Sequence, residues 1–434
     1  MAGGDGDGAA RRARRSPADA AIALAGVLVA VAAVAPIAVR WLTNPPDQRL
    51  VDVDVYRSGG EAVLRGAPLY EFLTEPPQLL PFTYPPFAAL LAVPLALLPW
   101  AVVQVLWVAG IYAALAVGAR HAFRPLLERA GRYAPLALGA LVGALAYLQP
   151  VHDQTRFGQV GLFLMALCVA DCLTPSPRWP RGVLVGLATA IKLVPGVFLI
   201  YFLVTGRREA AWNAVLTAAA ASLLAFMVLP HDSLAFWFDA MLDNERVGAN
   251  NGTTNQSLNG MLLRLYWPDA VTSLLWAACV ALLALVGFRL ARRASLAAGR
   301  LEGARAHSAE LAGIAITGLL SVLLSPVGWV HHLVWVVPVL GALVGDGRDL
   351  RRWLVAAPVA VFYAFRIPWW GTRLIGEGHS ALERFTGRVV QDAFGLAAIA
   401  LILLLGKWLI DRLQSEPDPA VSSPGNAQMG TLAP

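Results

Sequence analysis

Charge is scarce in this chain. Of its 434 residues, 14% are Asp, Glu, Lys or Arg and 57% are hydrophobic, whereas a soluble domain usually carries about 25% charged residues. Mean hydropathy is +0.60. That shortage excludes a protein whose whole surface faces water. Cysteine is scarcer still. Cys168, Cys172 and Cys279 all fall in apolar stretches, with neither the paired framework of a disulfide-stapled domain nor metal-site spacing. Cys168 and Cys172, one helical turn apart, read as core. No Gly-x-Gly-x-x-Gly or P-loop pattern occurs, so no nucleotide site is expected. No acidic cage stands out, so neither a cofactor nor an essential divalent ion is expected. No polar stretch is long enough for an independent soluble domain, and no internal repeat of the transporter kind is visible.

What is present is a series of apolar segments. A bilayer-spanning helix needs roughly 20 mostly apolar residues, and such runs recur at 20–39, 87–98, 101–117, 134–148, 160–173, 182–204, 210–229, 271–288, 311–324, 333–344, 354–365 and 393–410. The pattern predicts an all-α integral membrane protein, a bundle of about 12 transmembrane segments with interfacial helices in its outward loops. Residues 1–19 read as a disordered cytoplasmic tail, 20–413 as one polytopic membrane domain and 414–434 as a second disordered cytoplasmic tail. The net charge of +6 fits short basic loops that set orientation rather than a nucleic-acid partner. If every segment crosses, 289–305, 348–352 and 407–412 fall inside but the basic run 120–132 falls outside. Treating 87–98 and 160–173 as half-spans removes the conflict. Both versions leave the loops 41–86 and 231–269 and the segment 325–332 facing outward.

The first outward loop carries the sharpest chemical signal. Asp52 and Asp54 sit among valines just after a membrane helix, ahead of Tyr56. A carboxylate beside a bilayer is costly unless solvated or paired, and its useful chemistry is to accept a proton from an attacking hydroxyl. On an extended segment the two carboxylates would share a face. Elsewhere, Lys192 is the one basic residue within 182–204, and a charged residue inside a membrane segment suggests a functional site. His331 and His332 adjoin Trp329 at an outward helix end. As helical neighbours they point about 100° apart, so one of the two should face a site. Arg264 follows the polar run Asn255, Gln256, Ser257.

Several blocks together resemble a known family. An Asp four residues before Tyr56, the turn Gly66-Ala67-Pro68-Leu69-Tyr70, and Tyr84-Pro85-Pro86 opening a helix are similar to bacterial lipid-linked-sugar transferases of the C superfamily, in particular glycosyltransferase family eighty-seven. The run 155–160, the stretch from Gly186 to Lys192 and Pro195, the Asn-Gln-Ser loop with Arg264, and Ser325 to His332 match in order. The resemblance covers roughly residues 52–338. It implies transfer with inversion from a polyprenyl-phosphate-linked sugar to a glycolipid hydroxyl, at the outer face of the plasma membrane. It further implies that a first-loop Asp is the base. Spacing to the tyrosine selects Asp52, with Asp54 as the alternative. His331, His332, Arg264 and Lys192 are then expected to bind the donor phosphate, and Tyr56, Tyr84, Asn255 and Gln256 the substrates. The likeness to mycobacterial-type α-(1→2)-mannosyltransferases implies a mannose donor and an acceptor of the phosphatidylinositol mannoside or lipomannan type. An arabinofuranosyltransferase and, from another class, a lipid or solute transporter are the rival readings.

Overall fold

A computed structural model describes residues 16–45, 48–243, 246 and 248–415. Most of the two tails expected to be disordered lies outside the described residues. Within them the regular structure is helical, and β-pairing is limited to two isolated bridges, Leu73 with Pro81 and Asn255 with Trp329. Six helices are long and apolar enough to cross a membrane, or up to eight if each of two bent pairs counts as one span.

The chain enters α1 (Pro17–Thr43) through a capping box. Ser16 Oγ accepts from the Asp19 amide at 3.1 Å, and the Asp19 carboxylate accepts from the Ser16 amide at 3.2 Å. These bonds satisfy amides the first turn would leave open, so the helix starts three residues before the apolar run at 20. Then come α2 (Val51–Arg65), α3 (Pro86–Ala96), α4 (Trp100–Ala122), α5 (Arg124–Ala130), α6 (Ala134–Ala146), α7 (Gln149–Phe157) and α8 (Gly161–Leu173). α6 lies against α1 and runs the same way: a Cβ on Gly26 would meet the Pro135 carbonyl at 2.3 Å, and one on Gly143 the Ala33 Cβ at 2.6 Å. Small residues let the two backbones touch where side chains would hold them apart.

Contacts along the helices fix their directions. α4 starts near α2 and α7, where Trp107 Nε1 donates to the Gly158 carbonyl at 2.8 Å. It ends where His121 meets Thr174 at 3.1 Å, just past α8. α3 begins beside Tyr84, packs along α2, and hands over to α4 beside Leu50 and Val53. Segment 87–98 therefore stays at one end of the bundle, whereas 160–173 runs from that end toward the other. A break occurs at 182–204, which is not one span. α9 (Val183–Ile191) rises to Lys192, a 3-10 turn at Val194–Gly196 reverses the chain, and α10 (Val197–Val204) returns to the level of Arg181. Pro195 and Gly196 at the turn deny the helix a continuous ladder.

α11 (Arg208–Val228) runs parallel to α9, with Gly182 against Ala210 and Gly186 against Ala214. The short α12 (Pro230–Ala235) and α13 (Leu258–Leu263) precede the long antiparallel pair α14 (Asp269–Ala298) and α15 (Gly303–Leu323), and α16 (Val336–Val344) follows. α17 (Leu350–Ala364) is bent by 58° against the stretch containing α18 (Ile367–Gly371). After α19 (Ala381–Gln391), α20 (Ala393–Leu403) continues through a π-turn into α21 (Ile410–Ser415). The basic segments gather at one end. His307 Nε2 meets the His121 carbonyl at 2.8 Å, Arg129 donates to the Asp346 carbonyl at 3.0 Å, and Arg412 pairs with Asp349 at 2.6 Å. Segment 120–132 thus joins 289–305, 348–352 and 407–412. The expected conflict disappears because 87–98 does not cross and 182–204 turns back. The other end holds Asp52.

Candidate active site

At the end opposite the basic segments lies a polar cavity of about 550 Å³. Its first wall is the start of α2. Leu50 takes a left-handed backbone, φ 49°, donates its amide to the Arg156 carbonyl at 3.0 Å, and accepts from the Val53 and Asp54 amides. This places Asp52 in the first helical turn. Because the segment is helical and not extended, Asp52 and Asp54 point about 200° apart. Asp52 lines the cavity. Asp54 faces Arg57, Glu61 and Glu75 instead. Burial pushes the Asp52 carboxyl up to about 6, against a smaller lowering by a hydrogen bond from Gln159 and the charge of Lys192. Burial also raises Asp54.

Tyr56, one turn beyond Asp52, shares its face. Its hydroxyl lies 3.0 Å from that of Tyr84 and 3.4 Å from Gln159 Oε1. The chain bends at Tyr84, and α3 starts two residues later at Pro86, behind the extended Pro85. Gln159 follows Gly158, whose φ of 74° ends α7. A Cβ there would meet Val53 Cγ2 at 2.2 Å, so only glycine lets α2 come this close.

Lys192, one of two lysines in the chain, tops the α9–α10 hairpin in extended conformation. Its Nζ lies 5.1 Å from the Tyr84 ring centre and 3.1 Å from His332 Nε2. His332 Nδ1 accepts from the Trp329 amide at 3.2 Å, so a neutral ring carries its hydrogen on Nε2. Lys192 and His332 therefore turn two hydrogen-bond donors toward each other and toward the same space. An oxyanion would accept from both.

The remaining expected residues are elsewhere. His331 does not line the cavity. It is 7% exposed, its carbonyl accepts from Gln154 Nε2 at 2.5 Å, and its ring lies 5.4 Å from Phe157. Arg264, 1% exposed, is held by Asp392 through Nε at 2.7 Å and by the Gly252 and Asn255 carbonyls at 2.7 and 2.8 Å. Its donors are taken up by the protein and it stays outside the cavity lining. Asn255 Oδ1 accepts from the Gly328 amide at 2.9 Å, and Gln256 ties Thr253, Gln391 and Gly395 together. Both are buried: Asn255 fastens the loop 231–269 to the segment bearing His332, and Gln256 fastens it to the junction of α19 and α20. Gln159, Trp329 and Arg246 do line the cavity but carried no expectation. Gln159 lay within a recognisable block; Arg246 had no signal beyond its charge.

A second cavity, apolar and about 450 Å³, adjoins the first. Trp107, Phe163, Leu91 and Ile191 line it together with Tyr56 and Tyr84, and Tyr84 belongs to both spaces. A family model described as glycosyltransferase family 87 matches residues 82–326. The chain belongs to this family. Relatives agree over most of its length. A polyprenol-phosphate-mannose-dependent α-(1-2)-phosphatidylinositol mannoside mannosyltransferase of Mycolicibacterium smegmatis is 36% identical over 371 residues, 82% of this chain and 83% of the relative. Its namesake from Mycobacterium tuberculosis is 36% identical over 400 residues, 89% and 91% of the two chains. An M. smegmatis enzyme named for the pentamannoside is 33% identical over 358 residues, 80% and 79%. No solved structure matches. Membership of family 87 makes the protein a membrane glycosyltransferase, and the family match spans Tyr84, Gln159 and Lys192.

Proposed function

We propose that the protein is an inverting mannosyltransferase. It moves mannose from polyprenyl-phosphate-mannose to a hydroxyl of a phosphatidylinositol mannoside-type glycolipid in an α-(1→2) linkage. The observation that carries the reading is the convergence of a buried carboxylate, Asp52, and two inward donors, Lys192 and His332, in a polar cavity that shares Tyr84 with an apolar groove. A lipid-linked sugar phosphate has those three parts: a sugar, an anion and an isoprenoid tail.

The chemistry follows from charge. Asp52 takes the proton of the acceptor hydroxyl as its oxygen bonds to the anomeric carbon. The bond from that carbon to the phosphate oxygen breaks, and its electron pair leaves with the phosphate. Lys192 and His332 meet the charge that develops there. Phosphate leaves readily, so no general acid is needed. Attack opposite the leaving group at a β-linked donor yields an α-linked product. Tyr56 and Gln159 position Asp52, and the groove takes the isoprenoid. Arg264, Asn255 and Gln256 hold the walls. The basic end lies in the cytoplasm by the positive-inside rule, so the cavity opens at the outer face of the plasma membrane. The short helices α2, α3, α13 and α19 then lie near that surface.

The donor test uses the purified protein, a lipid acceptor, and either polyprenyl-phosphate-mannose or polyprenyl-phosphate-arabinose. Transfer from the mannose donor is expected. Transfer from the arabinose donor alone would overturn the mannose reading.

A further inference from the structure

At the basic end of the bundle, across the protein from Asp52, lies another polar cavity of about 450 Å³. Arg124, Arg181, Arg207, Ser295, His307 and Glu310 contribute its polar lining. Glu310 is the one carboxylate among the lining residues. It is already occupied, accepting from Arg207 at 2.6 Å and from the Tyr201 hydroxyl at 2.7 Å. Among the lining residues, three guanidiniums stand against that single carboxylate. Arg181 donates to the Asp171, Cys172 and Thr174 carbonyls, at 2.7, 3.1 and 2.7 Å. Those bonds orient the guanidinium without neutralising it. Arg124 has a loose 3.4 Å contact to Glu128, one turn away.

His307 supplies the independent observation. It is 7% exposed, and its Nε2 lies 2.8 Å from the His121 carbonyl. A carbonyl only accepts, so Nε2 carries the hydrogen. Its Nδ1 is buried and has no partner. A buried ring nitrogen left unmatched is unfavourable, which suggests a ligand. That nitrogen can meet an anion as imidazolium or take the hydrogen of a P–OH group.

We infer that this cavity binds a phosphate group, either a phospholipid headgroup from the inner leaflet or a soluble phosphate, at a site separate from the transfer reaction. Arg124, partly exposed, lines it together with Arg181, Arg207 and His307. Carboxylate ligands offer two oxygens, whereas a phosphate presents enough acceptors to meet several donors at once.

The test is a thermal-shift titration of the detergent-solubilised full-length protein with inorganic phosphate and with dioctanoyl phosphatidate, using dioctanoyl phosphatidylcholine as control. Bound phosphatidate is counted by native mass spectrometry. Saturable stabilisation by inorganic phosphate supports the site with a soluble ligand. Stabilisation by phosphatidate alone supports it with a lipid headgroup. Arg124 is partly exposed, so Arg124→Gln should fold, and it should weaken binding about 10-fold, the equivalent of one charge-assisted bond. Arg124→Lys should restore most of it. Arg132→Gln, at the same end but outside the lining, should leave binding unchanged. No stabilisation by either ligand, or equal weakening by Arg124→Gln and Arg132→Gln, would overturn the site.

Discussion

At the scale of single residues, the proposed mechanism rests on which way a carboxylate points. Asp52 and Asp54 are two residues apart, and a helix sends them to different surroundings. Asn keeps the size of Asp52 but cannot take a proton, so Asp52→Asn should lose roughly 10²- to 10⁴-fold in turnover with little change in donor affinity. Asp54→Asn should keep most of its turnover. A dead Asp54→Asn beside an active, folded Asp52→Asn would move the base. The pH dependence has a definite sign. Burial raises the Asp52 carboxyl from 3.8 to about 6, and the proposed base is its anion, so kcat/KM should climb through about pH 6. Folding responds oppositely. The folded chain holds this proton more tightly than the unfolded one, so the carboxyl favours folding below 3.8 and loses that contribution as pH rises through about 6. Asp52→Asn should therefore melt no lower than the parent at neutral pH. A clearly lower melting temperature would show that the carboxylate stabilises the fold.

Arg264 makes the contrast. Removing it leaves Asp392 partly buried and unpaired, an effect of roughly 3–5 kcal/mol for a broken buried pair. Arg264→Gln should melt much lower, yet turn over normally per folded molecule. Normal melting with weakened donor binding would return Arg264 to the phosphate. That Asp52, Tyr84, Lys192 and His332 stand around one cavity could be suspected from the sequence because each is a polar group at a set distance from a proline, a tyrosine or a helix end. The place of Arg264 could not, since its partner stands 128 residues away and no local pattern announces such a pair. Asn255 and Gln256 stand outside the cavity lining, held by partners on other elements.

At the scale of elements, the α9–α10 hairpin is what brings a cation to the cavity. α9 has nine residues, a rise of about 13 Å, and its reversal leaves Lys192 at the tip beside His332. Hydropathy registered 182–204 as one apolar run because it carries no information about direction. Lys192, Pro195 and Gly196 were the visible traces of the turn. The first loop contains a helix of its own, α2, in keeping with its length and aromatic content. If Lys192 meets the departing phosphate, Lys192→Gln should lower kcat by about 10²- to 10³-fold, as loss of a preorganised transition-state donor does. Lys192→Arg should recover part of it. A Gln variant with unchanged kcat and a raised KM would make Lys192 a ground-state anchor only.

At the scale of the whole molecule, one end collects arginines and the other a sunken polar cavity with an apolar groove beside it. Composition alone made the membrane legible. The meeting of residues 52, 159, 192 and 332 depends on packing between distant helices. The proposed chemistry uses a lipid-linked donor and needs no divalent ion, so full turnover is expected in chelator. Loss restored by magnesium or manganese would show that a metal takes part. The central claim is transfer with inversion at a single centre. Its most direct test is the anomeric configuration and position of the new bond, read by NMR on product made from β-linked polyprenyl-phosphate-mannose and a phosphatidylinositol mannoside. An α-(1→2) mannosyl product is expected. A β-linked product, or none from well-folded protein, would contradict the account.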